Sequence, residues 1–314
     1  MTGAGAASLA FGFEDTFLGS VTDGDSDGNA DYYAFGRDPT EQDVSLDNML
    51  QRMHEPDSVW SVESVKDNFE GAFGVEAVIN ADVFPKVEDI VFNDTDGSGN
   101  KAIVAGRPQS AKIYAGIDYL DGTTERVLEG FIPVDFTPFD YTQDGKVRYT
   151  LSGIYGAEST NTSITPSSVT QASEGSHAAA QDFDLSIDTT SIPMLQSSSL
   201  SISNIARFQR DGNPTPADAV IAQPEASLES TGIYSGPNRL ERALGGADAT
   251  STQDRLDGVA ATATIKNNGT VISTYNLQTV TPATYEWSDL IAGDTDTTEN
   301  VQWNVGGEDA VTVA

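Results

Sequence analysis

The sharpest chemical signal is the string Asp23-Gly24-Asp25-Ser26-Asp27-Gly28-Asn29-Ala30-Asp31. Asp23, Asp25, Asp27 and Asp31 fall at positions 1, 3, 5 and 9 of an EF-hand-like loop, with Gly28 at the turn position. Oxygen ligands at alternating positions wrap a hard cation, so this loop is a candidate Ca2+ or Mg2+ site. Position 12 is Ala34, so the bidentate glutamate is missing, and a chain rich in Asp and Gly also produces such strings as solvated loops. Asp94-Thr95-Asp96-Gly97-Ser98-Gly99-Asn100 is a weaker version.

Catalytic chemistry finds little support. The two histidines, His54 and His177, are far apart, and neither has a histidine or cysteine neighbour. There is no cysteine, which removes disulfides, thiolate metal sites and cysteine nucleophiles. Carboxylate pairs are too numerous, at 48 Asp plus Glu, for any one pair to signal a glycosidase dyad. The glycine runs at Gly3-Ala4-Gly5 and Gly97-Ser98-Gly99 lack the lysine of a phosphate-binding loop. No catalytic residue and no required cofactor is expected.

Only 16 Lys plus Arg oppose those 48 acids, and the formal net charge is −32 over 314 residues. The bias is global, since 29 of the 48 acids lie in residues 1–158 and 19 in residues 159–314. A compact chain so charged repels itself, and strong salt screens that repulsion. The composition is that of halophilic proteins. It is also poorly suited to binding nucleic acid, because few cations are present to neutralise phosphates. No stretch approaches the 18 apolar residues of a membrane-spanning helix. Met1 to Ala10 lacks the basic start of a secretory signal, so none is expected.

The elements that must carry any site are strands. Ile113, Ala115, Ile117 and Tyr119 alternate, as do Val147, Tyr149 and Leu151, Leu200 and Ile202, and Val301, Trp303 and Val305. Turn signals at Asp121-Gly122, Asp144-Gly145 and Asn267-Asn268-Gly269 separate such runs. Two short helices are predicted, Pro85 to Phe92 and Pro237 to Leu244, each opening on proline and laying an apolar stripe on a sheet. Residues 159–176 contain ten Ser or Thr in 18 positions and read as a linker at the midpoint.

Self-similarity appears on either side of it. Ser45-Leu46-Asp47-Asn48 resembles Ser201-Ile202-Ser203-Asn204, and the segment from Asn68 to Phe73 resembles that from Ser227 to Tyr234. The two helices and two later strand pairs follow in the same order, at offsets of about 150 to 159 residues, close to half the chain. This predicts a tandem duplication: a first β domain at 1–158, a linker at 159–180 and a second β domain at 181–314.

The repeated order of an opening strand with Ser-x-x-Asn, a looped segment, an acidic strand, one helix and closing strands resembles the major tail tube proteins of tailed viruses. The opening Phe11-Gly12-Phe13-Glu14-Asp15-Thr16-Phe17-Leu18-Gly19 is similar to the aromatic-Gly-x-Glu-x-Thr-aromatic-x-Gly start of siphovirus tube proteins. The resemblance implies a mainly β chain with two tandem antiparallel sandwich or barrel-like domains, each with one flanking helix. It implies rings of six domains stacked into a hollow tube through which viral DNA passes without specific binding. Two domains per chain then give homotrimeric, pseudo-hexameric rings. The implied partners are further copies of the chain and the tape-measure, tail-terminator or baseplate proteins, and the implied location is the virion tail, assembled in the cytoplasm of a halophilic host, with no membrane. Two alternatives stay open: another virion part (turret, decoration or baseplate hub), and a secreted halophilic β-sandwich adhesin or binding module.

Overall fold

The computed structural model describes residues 7–24, 26–66, 68–291 and 295–314. Its elements follow from the alternation. The first half contains β1 (Ala7–Phe13), β2 (Arg37–Asp47), β3 (Leu50–His54), β4 (Ser61–Lys66), β5 (Glu70–Val78), α1 (Phe84–Val91), β6 (Asp94–Thr95), β7 (Lys101–Ala102), β8 (Ala111–Tyr119), β9 (Gly122–Thr142), β10 (Arg148–Tyr155) and β11 (Ala157–Asn161). The second contains β12 (Phe183–Ile187), β13 (Thr190–Ser191), β14 (Leu195–Ser203), β15 (Ala206–Gln209), β16 (Asp218–Ile221), β17 (Glu225–Ile233), α2 (Asn238–Leu244), β18 (Val259–Asn267), β19 (Thr270–Ser288) and β20 (Thr298–Val313). The protein is therefore mainly β, with large antiparallel sheets.

The period-two pattern is spent as expected in β10, where Tyr149, Leu151 and Tyr155 are buried, and in β20, where Val301 and Trp303 are. In β8 it is spent only in part. Ile113 is buried, while Ile117 and Tyr119 overhang the core and stay nearly half exposed.

The helices differ from each other. In α1, Pro85 sits in the first turn, where its missing N–H costs nothing. Asn80 Oδ1 accepts the Val83 N–H at 2.8 Å just before it, and Phe84, Val87, Ile90 and Val91 are buried. α2 starts after Pro237 and stops at Gly245, yet none of its residues is fully buried. Its expected stripe, Leu240 and Leu244, is only half-buried, and Arg239 adds an ion pair to Glu299 of β20.

Each half has the same strand order. The first runs β1-β8-β9-β10-β5-β2, the second β12-β18-β19-β20-β17-β14, and every neighbouring pair is antiparallel. In each half one long strand serves two sheet regions. β9 pairs β8 and β11 along its first part and β10 along its second. β19 does the same with β18 and β20. Both long strands break register at a proline, Pro133 opposite Gly153 and Pro282 opposite Trp303. Proline lacks the ladder donor, so a bulge is where a strand interior accepts it. The result is sandwich-like, and a single core runs through both halves: Phe139 and Phe92 of the first pack on Tyr275 of the second.

The halves join within one sheet. β14 pairs β9 antiparallel, with Leu200 opposite Phe139 and Ile202 opposite Phe136. The Ser/Thr-rich stretch between them is fastened along the first half. Its start belongs to β11, the Thr170 carbonyl accepts from Ala34 at 3.0 Å, Ser176 O accepts from Ala81 at 2.8 Å, and Ala178 donates to Ile79 O at 2.9 Å. Its composition offers few apolar side chains, Ala172 and Ala178 being the buried ones, and its backbone groups still required partners.

Candidate functional site

The acidic loop turns its carboxylates on its own backbone. Asp23 Oδ1 accepts from Asp27 N at 3.2 Å and its Oδ2 from Gly28 N at 2.8 Å. Asp31 Oδ2 accepts from Gly24 N at 2.8 Å, and Asp27 Oδ1 from Asn29 N at 2.7 Å. Asp25, the remaining proposed ligand, lies outside the described residues. Among the described residues no group of three or more acidic, histidine or cysteine side chains converges as metal ligands. The second acidic string is the β6–β7 turn, where Asp96 Oδ1 accepts from Ser98 N and Asn100 N at 2.7 and 2.9 Å. The Asn100 side-chain amide, which donates to Asp96 Oδ2 at 2.9 Å, is the main cause holding the Asp96 carboxyl below its ordinary range, and these backbone bonds add to it.

His54 ends β3 and His177 bridges Asn80, and both are exposed. A cleft of about 560 Å³ between β1 and residues 164–171 contains one titratable side chain, Tyr114. Burial keeps its hydroxyl protonated far above neutral pH. Among the described residues, no helix is long and apolar enough to cross a membrane.

The features left over are edges. β2 pairs β5 on one side, and no strand lies on its other side among the described residues. Arg126 and Tyr155 pin this strand from within. Arg126 Nη1 donates to Val44 O at 3.0 Å, and the Tyr155 hydroxyl donates to Ser45 O at 2.7 Å. Arg126 is itself oriented by a two-pronged ion pair with Glu158, at 2.6 and 2.9 Å. That pair pulls the Glu158 carboxyl down against its own burial. In the second half, β19 from Thr281 to Ser288 has β20 on one side and no described strand on the other. The corresponding stretch of β9 is where β14 pairs.

One further element stands apart. Among the described residues, the strands of the β3–β4 hairpin pair only with each other, and both are exposed along their length. Val59 and Trp60 at its tip are 92% and 81% exposed. Its counterpart in chain order, β15–β16, is seated on the first half, with Ala206, Phe208 and Ala219 buried. Sequence reading missed both the edges and this contrast. Alternation marks a strand but not which side of it stays unpaired, and the apolar run Val59-Trp60 was the only available sign of the hairpin tip.

Compared with known proteins, the chain matches no family model and no curated sequence.

Proposed function

We propose that this chain is a structural protein that assembles with copies of itself into stacked rings forming a hollow tube, the tail tube of a virus of a halophilic host. The observation that carries the reading is the joint between the halves. Two units of equal strand order are fused edge to edge through β14 and β9, and the counterparts of those strands, β2 and the Thr281–Ser288 stretch of β19, each keep one side unpaired among the described residues. Open edges are templates for strand addition. A head-to-tail contact repeats until it closes on itself or runs on as a filament.

The equal strand order and the paired prolines at the bulges support reading the halves as a tandem duplication. On the tail-tube resemblance, six such units form a ring, so three chains complete one. The net charge of −32 suits a bore that DNA must traverse without sticking, because a basic wall binds phosphate through counterion release. The reading assigns no catalytic residue and needs no cofactor. The acidic loop enters it only as a surface turn on which Ca2+ or Mg2+ can act if Asp25 completes a ligand set.

The test is assembly. The purified chain, examined by negative-stain microscopy and sedimentation from low to multimolar NaCl, is expected to form rings and tubes in a concentration-dependent way, with three chains per ring. A monodisperse monomer at every concentration and salt overturns the reading.

A further inference from the structure

The two hairpins are built alike yet differ in what they touch. Each follows the strand that begins the half's edge (β2 or β14), and each pairs its first residue with the last of its return strand: Leu50 with Lys66, Ala206 with Ile221. The inner register agrees as well, since Met53 stands opposite Glu63 and Gln209 opposite Asp218. Glu63 and Asp218 are thus equivalent acids.

In the second hairpin, Asp218 is an anchor. Its Oδ2 lies 2.6 Å from Nη2 of Arg107, in the loop before β8. The neighbouring Ile221 N–H donates to Gly106 O at 2.9 Å. At the hairpin tip, Pro214 O accepts from Phe69 N at 3.0 Å, and Arg210 Nη2 reaches Glu70 at 3.0 Å. The tip also packs against Phe17 through Phe208. The hairpin of one half therefore clasps the body of the other half.

Among the described residues, the first hairpin forms no strand pairing with any other element of its own chain. The second half, meanwhile, presents the matching cation. Arg107 lies four residues before the start of β8, and Arg255 lies four residues before the start of β18, the corresponding strand. Arg255 is exposed and, among the described residues, makes no ion pair in a chain where acids outnumber bases 48 to 16. Glu63 is exposed and likewise unpaired.

We propose that the β3–β4 hairpin is a clasp for the next copy of this chain, seated on that copy's second half with Glu63 paired to its Arg255, as Asp218 is paired to Arg107 within one chain. This deepens the assembly reading and rests on it, since the joint between chains then repeats the joint between halves. The positions matching the seated residues Ala206, Phe208, Ala219 and Ile221 are Leu50, Arg52, Ser64 and Lys66. The clasp between chains is accordingly more polar than the internal one and brings two further cations to an acidic neighbour. It is the reversible joint, and the internal one is permanent.

Charge exchange tests it. Glu63→Arg and Arg255→Glu, each alone, place like charges together and are expected to lower the fraction of chains in rings at least tenfold. The double variant Glu63→Arg/Arg255→Glu restores the opposite pair and is expected to recover the parent's rings. Because neither residue packs in the isolated chain, circular dichroism melts of all three variants should match the parent. As an independent readout, the absence of native cysteine allows Glu63→Cys/Arg255→Cys to be treated with a short bismaleimide. Linked dimers and trimers are expected, with Arg107→Cys/Asp218→Cys, linked within one chain, calibrating the reach. If the parent forms rings and the single variants form them equally well, or the double variant fails to recover, the clasp is wrong while the assembly reading stands. If the parent forms no rings, both fall together.

Discussion

Glu88 of α1 and Tyr275 of β19 are hydrogen-bonded to each other in the core, across the boundary between the two halves. Both are buried, and Lys101 completes the group, 3.4 Å from Glu88 and 2.7 Å from Asp89. The helix of the first half is thereby locked to the long strand of the second. No separate interface between them can slide without exposing a carboxyl that burial has already made hard to ionise.

That carboxyl gives a prediction with a definite sign. Burial raises Glu88 above its ordinary value of 4.5, with Lys101 and the Tyr275 hydroxyl pulling against it. A group raised in the folded state contributes stability that is complete below its unfolded pKa and is lost as pH rises through the folded one. Glu88→Gln keeps an acceptor for Tyr275 and removes the titration. The melting temperature of the variant minus that of the parent is expected to rise as the pH climbs above the ordinary value of 4.5. A difference that stays flat there shows that Glu88 does not titrate in this way.

The presence of individual strands was readable because alternation is a local signal: β8 is found where the pattern of Ile113, Ala115 and Ile117 placed it, whereas β20 runs from Thr298 to Val313, well beyond Val301, Trp303 and Val305. The similarity of the halves was faint for a packing reason. At corresponding positions the first half has Phe131 and Gly153, the second Val280 and Trp303. A Cβ on Gly153 would collide with the Ile132 carbonyl oxygen and meet the Phe131 ring at 2.7 Å, so in the first half only glycine fits where the second half has tryptophan. The opening motif was readable but not explicable from sequence. Glu14 is buried because it accepts from Gly130 N at 2.8 Å and Leu18 N at 3.0 Å, and Gly12 is required where a Cβ would meet Asp31 O at 2.8 Å. The edges were illegible, since an unpaired side is a property of the whole sheet.

The buried ion pair beside α2 predicts a stability loss. Arg239 Nε donates to Glu299 at 2.9 Å, and the Tyr285 hydroxyl donates to the other carboxylate oxygen at 2.7 Å. Glu299 is 1% exposed, so Arg239→Ala leaves a buried carboxylate short of its main partner. Such a loss costs about 3–5 kcal/mol. Urea unfolding of Arg239→Ala in high salt should show it, and a loss below about 1 kcal/mol would mean that water replaces the arginine at no cost.

Charge composition predicts a salt response. With 48 acids against 16 bases, self-repulsion opposes the folded state until it is screened. The melting temperature is expected to climb steeply with NaCl and to level off near 1 M, where the screening length is about 3 Å. A melting temperature independent of salt from 0.1 to 3 M contradicts adaptation to salt.

The open edge predicts a variant that folds but does not assemble. Leu46, near the end of β2, is 45% exposed and matches Ile202 of β14, which stands opposite Phe136 in the internal joint. The β19 residue corresponding to Phe136 is Tyr285, opposite Val301 as Phe136 is opposite Leu151. Leu46 of one chain should therefore lie against Tyr285 of the next. Leu46→Asp puts a carboxylate into that contact, close to the buried Glu299 that Tyr285 already serves. Exposed substitutions of this kind change folding stability by no more than about 0.5 kcal/mol. The expected outcome is an unchanged melt together with loss of rings in negative stain and a monomer in sedimentation at concentrations where the parent assembles. Rings of normal yield from Leu46→Asp would place the chain–chain contact elsewhere than on β2.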